Sequence, residues 1–150
     1  MNKLLIILFF LFSLALNSTA QKPTYDSILA KKLNADEYGM KSYVFVILKT
    51  GSNVSKDKEA KDKAFAGHMT NIKKMAANGK LAVAGPFENG GNNRGIFVLN
   101  VTTIEEAKKL LEGDNAITEK YLEPEYIMWY GSAALQEIPS IHEKIQKSSF

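Results

Sequence analysis

The chain contains no cysteine, which excludes disulfides, thiolate nucleophiles and zinc–sulfur sites. It has one arginine, Arg94, among 19 basic residues, and its formal net charge is only +3. The lysines are scattered among acids, with no basic cluster interleaved with aromatics, so nucleic acid is not an expected partner. Only two histidines are present, His68 and His142, far apart in sequence. A metal site would need both segments to converge with carboxylates, and none is expected. No G-x-G-x-x-G stands between a strand and a helix; ENGGNNRG, residues 88–95, reads as a hairpin turn. No cofactor is therefore expected.

Long hydrophobic runs are absent after the first twenty residues. Before them, Lys3 precedes thirteen apolar-core residues, Leu4 to Leu16, and NSTA offers small residues for cleavage after Ala20. This predicts a secretory signal peptide over residues 1–20 and a secreted or periplasmic protein. The run is shorter than the roughly 20 residues that a membrane span needs. The remaining 130 residues, 21–150, suit one domain. An exported domain without disulfides must rely on packing or on oligomerisation.

Residues 21–40 read as an N-terminal extension with a short helix capped by Asp26, its Ile28, Leu29 and Leu33 on one face. Ser42–Lys49 is β-branched and aromatic, as strands are. Asp57–Asn78 has helical spacing, with Phe65, Met69, Ile72 and Ala76 on a stripe and Gly79 as the stop. Leu81–Ala84 and Gly95–Val101 read as strands. Thr103 to Glu106 is a capping box for a second helix that Gly113 closes. Tyr126–Tyr130 is the fourth strand. The order β-α-β-β-α-β over residues 41–131 predicts an α+β, ferredoxin-like fold, a four-stranded antiparallel sheet with two helices on one face. Residues 132–150 form a tail with a short helix.

A sheet covered on one side should alternate apolar and polar residues. Here Tyr43, Phe45 and Ile47 are apolar on one face, and Val44, Val46 and Leu48 on the other. The second face would expose more apolar surface than a monomer tolerates. The sheet of a second copy is the simplest cover, giving a homodimer. The tail, with its stripe of Ile138, Ile141 and Ile145, could cover part of that face.

The run GHMTNIKKMAANGKLAVAGPF (67–87), the Gly-rich hairpin, GIFVLNV, the helix EEAKKLLEGD and a final aromatic strand together resemble the YCII-related family over about residues 41–131. The resemblance implies a dimeric α+β barrel with a pocket in each subunit. It also implies a pairing of a helix histidine with an aspartate after the second helix, which matches His68 and Asp114. It implies enzymatic activity, one such relative being a dehydrochlorinase of chlorinated hydroxyquinones. Where that family often has Asp-Pro, this chain has Asp114-Asn115.

Helical spacing sets His68 near the edge of the apolar stripe. It is either a core imidazole satisfied by carbonyls or a pocket residue. Asp114, after Gly113 and before a new turn, is a natural N-cap. Its two oxygens allow both a cap and a bond to an imidazole. Such a pair would fix the tautomer and leave the second ring nitrogen as a general base. With no nucleophile beside it, proton transfer, isomerisation or elimination on a small polar or aromatic molecule fits better than acyl transfer. A non-catalytic ligand-binding or structural dimer is the other reading. Arg94 is a candidate clamp for an anionic group, and Tyr43 and Trp129 are candidates for a substrate pocket or for core.

Overall fold

The computed structural model describes residues 24–148; the expected signal peptide lies outside the described residues. Helix α1 (Ser27–Lys32) is capped by Asp26, whose carboxylate accepts the Ile28 and Leu29 N–H groups. Its expected apolar face is not used as such. Leu33 is buried, but Ile28 is 82% exposed, because α1 is only one and a half turns long and reaches the domain through its C-terminal end. A turn then follows in which Asp36 accepts the Tyr38 and Met40 N–H groups and the Tyr130 hydroxyl.

Strand β1 (Met40–Thr50) leads to α2 (Lys58–Ala77). Asp57 caps α2 through the Ala60 N–H. At its end Lys80 N–H reaches the Met75 carbonyl and Gly79 N–H the Ala76 carbonyl, with Gly79 left-handed at φ 64°. This is the Schellman stop that Gly79 predicts. Strands β2 (Leu81–Pro86) and β3 (Asn93–Leu99) form the hairpin, and α3 (Ile104–Leu111) starts at Thr103, whose hydroxyl accepts the Glu106 N–H. Gly113 does not close α3 in the left-handed way; Asp114 N–H bonds the Leu111 carbonyl in a tight turn instead. A single turn, α4 (Asn115–Thr118), precedes β4 (Leu122–Ser132). The tail is a 3₁₀ turn (Ala133–Glu137) and α5 (Ile138–Ile145).

The strand order is β2-β3-β1-β4 with every neighbour antiparallel, the ferredoxin-like α+β arrangement. Pro86 and Pro124 are tolerated inside strands because β2 and β4 are the edges. Register places Phe97, Val46 and Tyr126 in one row across β3, β1 and β4. That row faces the helices, in a core with Val44, Leu48, Leu99, Leu111 and Ala64.

The opposite face is covered at one end only. The 3₁₀ turn lays Leu135 over Tyr43, Ala82 and Val98, and the Tyr43 hydroxyl donates to the Ser132 carbonyl at 2.9 Å. Gln136 ties the tail down, donating to the Leu33 and Ala133 carbonyls and accepting from Asn100. The isoleucine stripe of α5 does not act as the cover. Ile138, Ile141 and Ile145 are all exposed, since α5 rests on β2 and on the 3₁₀ turn at the margin of the sheet. Ile127 and Trp129 remain 40% and 38% exposed beyond the tail's reach.

Candidate active site

The buried line of α2 runs Ala64, His68, Asn71, Met75, a spacing of four, three and four that sets all four on one face. His68 is therefore central rather than at the edge of the stripe. The apolar stripe expected from spacing, Phe65, Met69, Ile72 and Ala76, is only half-buried. The line that faces the sheet carries two polar groups and a small one. Asn71 spends its amide on the Leu110 carbonyl at 3.1 Å, fixing α2 to α3. His68 is held differently. Its ring stacks on Phe97 at 5.8 Å between centroids and meets Phe65 edge-on at 5.9 Å.

Asp114 is completely buried and serves both roles the sequence allows. Its Oδ1 accepts the Ala116 and Ile117 N–H groups at 3.1 and 3.4 Å, capping α4. Its Oδ2 accepts from His68 Nδ1 at 2.6 Å. A carboxylate so held cannot swing away, and an imidazole donating from Nδ1 has Nε2 left as an acceptor in its neutral form. Nε2 has no hydrogen-bond partner among the described residues. No buried side-chain nitrogen or oxygen among them lacks a partner either, so Nε2 meets solvent where the side chain is 10% exposed.

The close approach of α4 to α2 depends on Gly67. A Cβ there would stand 2.7 Å from the Asn115 side-chain Cγ. Asn115 thus packs its amide into the space the glycine leaves.

Three aromatic residues around the pair are not candidates on sequence grounds. Phe97 floors the imidazole, Phe65 flanks it, and Tyr126 lies at the far end of the same sheet row, on a strand against which α4 packs. Burial first, and then the charge of Asp114, push the Tyr126 phenol above its ordinary range. For Phe97 and Tyr126 the signal is period two, which sets both on the face that the helix-bearing core must use; Phe65 follows from helical spacing three residues before His68.

The other sequence candidates are not brought to this pair. Tyr43 is fully buried on the opposite sheet face, where Trp129 packs on it at 5.9 Å and on Phe45 at 6.1 Å. Arg94 is exposed at the hairpin end of β3. His142 is exposed on α5, and no three His, Asp or Glu side chains cluster to hold a metal among the described residues. No helix among the described residues is long and apolar enough to cross a membrane. The chain matches no protein-family model and no curated protein sequence.

Proposed function

We propose that this protein is a cofactor-independent enzyme that moves a proton on a small polar or aromatic molecule, as a lyase or isomerase does. His68 Nε2 is the general base, and Asp114 fixes the ring and its tautomer. The observation that carries the reading is the 2.6 Å contact between His68 Nδ1 and an aspartate whose other oxygen is bound to two backbone N–H groups. A positioned base of this kind contributes about 10²–10⁴-fold in rate. No serine or threonine hydroxyl among the described residues is bonded to His68, which favours proton transfer over acyl transfer.

The test follows exchange of carbon-bound protons in D₂O by ¹H NMR, over a panel of small carbonyl compounds, for wild type and His68→Ala. Exchange that falls at least about a hundredfold in the variant supports the base. Exchange or turnover that His68→Ala leaves unchanged overturns it.

The second reading is a non-catalytic ligand-binding or structural module; under either reading, the sheet face that Ile127 and Trp129 leave open favours a homodimer. A second copy laid sheet to sheet would cover it, as in the α+β barrels of the YCII-related family. Sedimentation of residues 21–150 distinguishes the states, and a folded, soluble monomer at all concentrations counts against the dimer. Export to the periplasm or beyond, through the 1–20 leader, belongs to the same proposal.

A further inference from the structure

A cleft of about 250 Å³ opens where the tail meets the C-terminal end of α2. Small residues line one side of it: Ala76 and Ala77 of α2, Gly79 after the helix, and Ala82 of β2. None of them extends beyond Cβ, so they leave the space unfilled. The tail supplies Ser140 and Glu143, both on α5, which the Gln136 hydrogen bonds to the Leu33 and Ala133 carbonyls hold in place. Glu143 is the one ionisable side chain in the lining, and it forms no salt bridge among the described residues. Ala76 and Ala77 end a 20-residue helix, whose C-terminal end is its negative pole. There the N–H groups of Asn78, Gly79 and Lys80 bond to the carbonyls of Lys74, Ala76 and Met75, so none of the three takes the Ala77 carbonyl. The donors of the lining are already engaged. Asn100 gives its amide N–H groups to the Gly79 carbonyl and to Gln136 Oε1, both at 3.0 Å. Ser140 Oγ donates to the Glu137 carbonyl at 2.9 Å, which leaves its oxygen as an acceptor. Lys41 is outside the lining and donates to Asn100 Oδ1 at 2.6 Å. The cleft therefore offers acceptors and one negative charge.

We propose that this cleft binds a small primary amine in its ammonium form. The three N–H donors of an ammonium match the three acceptors: the Glu143 carboxylate, Ser140 Oγ and the Ala77 carbonyl. A short apolar chain lies against the methyl groups of Ala76, Ala77 and Ala82. The volume falls below the roughly 300–1,000 Å³ of sites for drug-sized ligands, which restricts the class to small amines. Ala77 is nine residues along α2 from His68, and the cleft includes neither His68 nor Asp114. The site is therefore independent of the proton-transfer reading and stands or falls without it.

The probe is 3-methylbutylamine, titrated at neutral pH beside 3-methylbutanol and 3-methylbutanoate, which carry the same branched chain on a neutral and an anionic head. Amide chemical shifts of ¹⁵N-labelled protein report both the affinity and the place. The amine should shift the amides around Ala76–Ala82 and Ser140–Glu143 saturably, and should bind at least about tenfold more tightly than either analogue, as hydrogen bonds to a charged group require. Glu143→Gln keeps the shape of the side chain and should weaken the amine at least about threefold, in the range of an exposed ion pair. Ser140→Phe fills the cleft from an exposed helix and should abolish binding. Near-ultraviolet circular dichroism checks that both variants are folded. No saturable binding, a preference for the amine below tenfold, shifts centred elsewhere, a loss below threefold in Glu143→Gln, or binding that survives Ser140→Phe overturns the proposal.

Discussion

The two faces of the sheet are nearly equal in apolar content and unequal in what covers them. The face toward the helices is closed over β1 and β3: Val44, Val46, Leu48, Phe97 and Leu99 are all buried under α2, α3 and α4, while Met128 on the β4 edge of the same face stays exposed. The other face carries Tyr43, Phe45, Ile47, Val98, Ile127 and Trp129, and only the end with Tyr43 and Val98 is closed, by the 3₁₀ turn of the tail. The polar pair sits on the closed face. Burial there lets a carboxylate and an imidazole act without competition from water, which makes each hydrogen bond stronger and each loss costlier. The open face has no buried polar side chain of this sort among the described residues, and its exposed rings await a surface, not a reaction.

The largest expected effect tests the closed face. Phe97→Ala should destabilise the protein by about 3–5 kcal/mol in denaturant unfolding, and should also free the His68 ring from its floor. Next comes the pair. Asp114→Asn keeps volume but offers a weaker acceptor to Nδ1, and should cost about 1–3 kcal/mol by the same measurement. Gly67→Ala sharpens this, since the added methyl must push Asn115 and α4 away; a cost of about 1–3 kcal/mol is expected, with the His68–Asp114 bond lengthened. The smallest effect belongs to the open face. Ile127→Asn should change monomer stability by no more than about 0.5 kcal/mol, while abolishing any concentration-dependent association. If Ile127→Asn costs as much as Phe97→Ala, the contrast between the faces is false.

Alkaline titration marks the covered end of that second face. Burial, only partly offset by a hydrogen bond with Gln136, raises the Tyr43 phenol above its ordinary value. A phenol with a raised folded pKa contributes its stability fully below the unfolded value of about 10 and loses it as pH rises through the folded value. Stability should therefore fall as pH rises from about 10 through the folded value, and Tyr43→Phe should flatten the fall.

Much of the fold was legible because the strands and α2 carry strong local signals: β-branched runs, helical spacing and the Gly79 stop. Edge prolines were less so, because a proline ends a strand in isolation but not at the rim of a sheet. The C-terminal isoleucines misled for a related reason. Their spacing is amphipathic, yet the helix is held by Gln136 and the 3₁₀ turn, so its apolar stripe need not face the sheet. At the site, His68 and Asp114 could be paired from sequence only through the resemblance. The centrality of His68 was hidden because Ala64 and Asn71, which share its line, carry no hydrophobic weight.

The account turns on which nitrogen of His68 carries the proton in the neutral ring. ¹⁵N NMR of histidine-labelled protein, with the His68 resonances assigned by His68→Gln, measures this directly. A proton on Nδ1 that is lost to averaging in Asp114→Ala, with Nε2 at the position of an unprotonated nitrogen, is the predicted result. A neutral ring protonated on Nε2 would contradict it, because no base would then face the substrate.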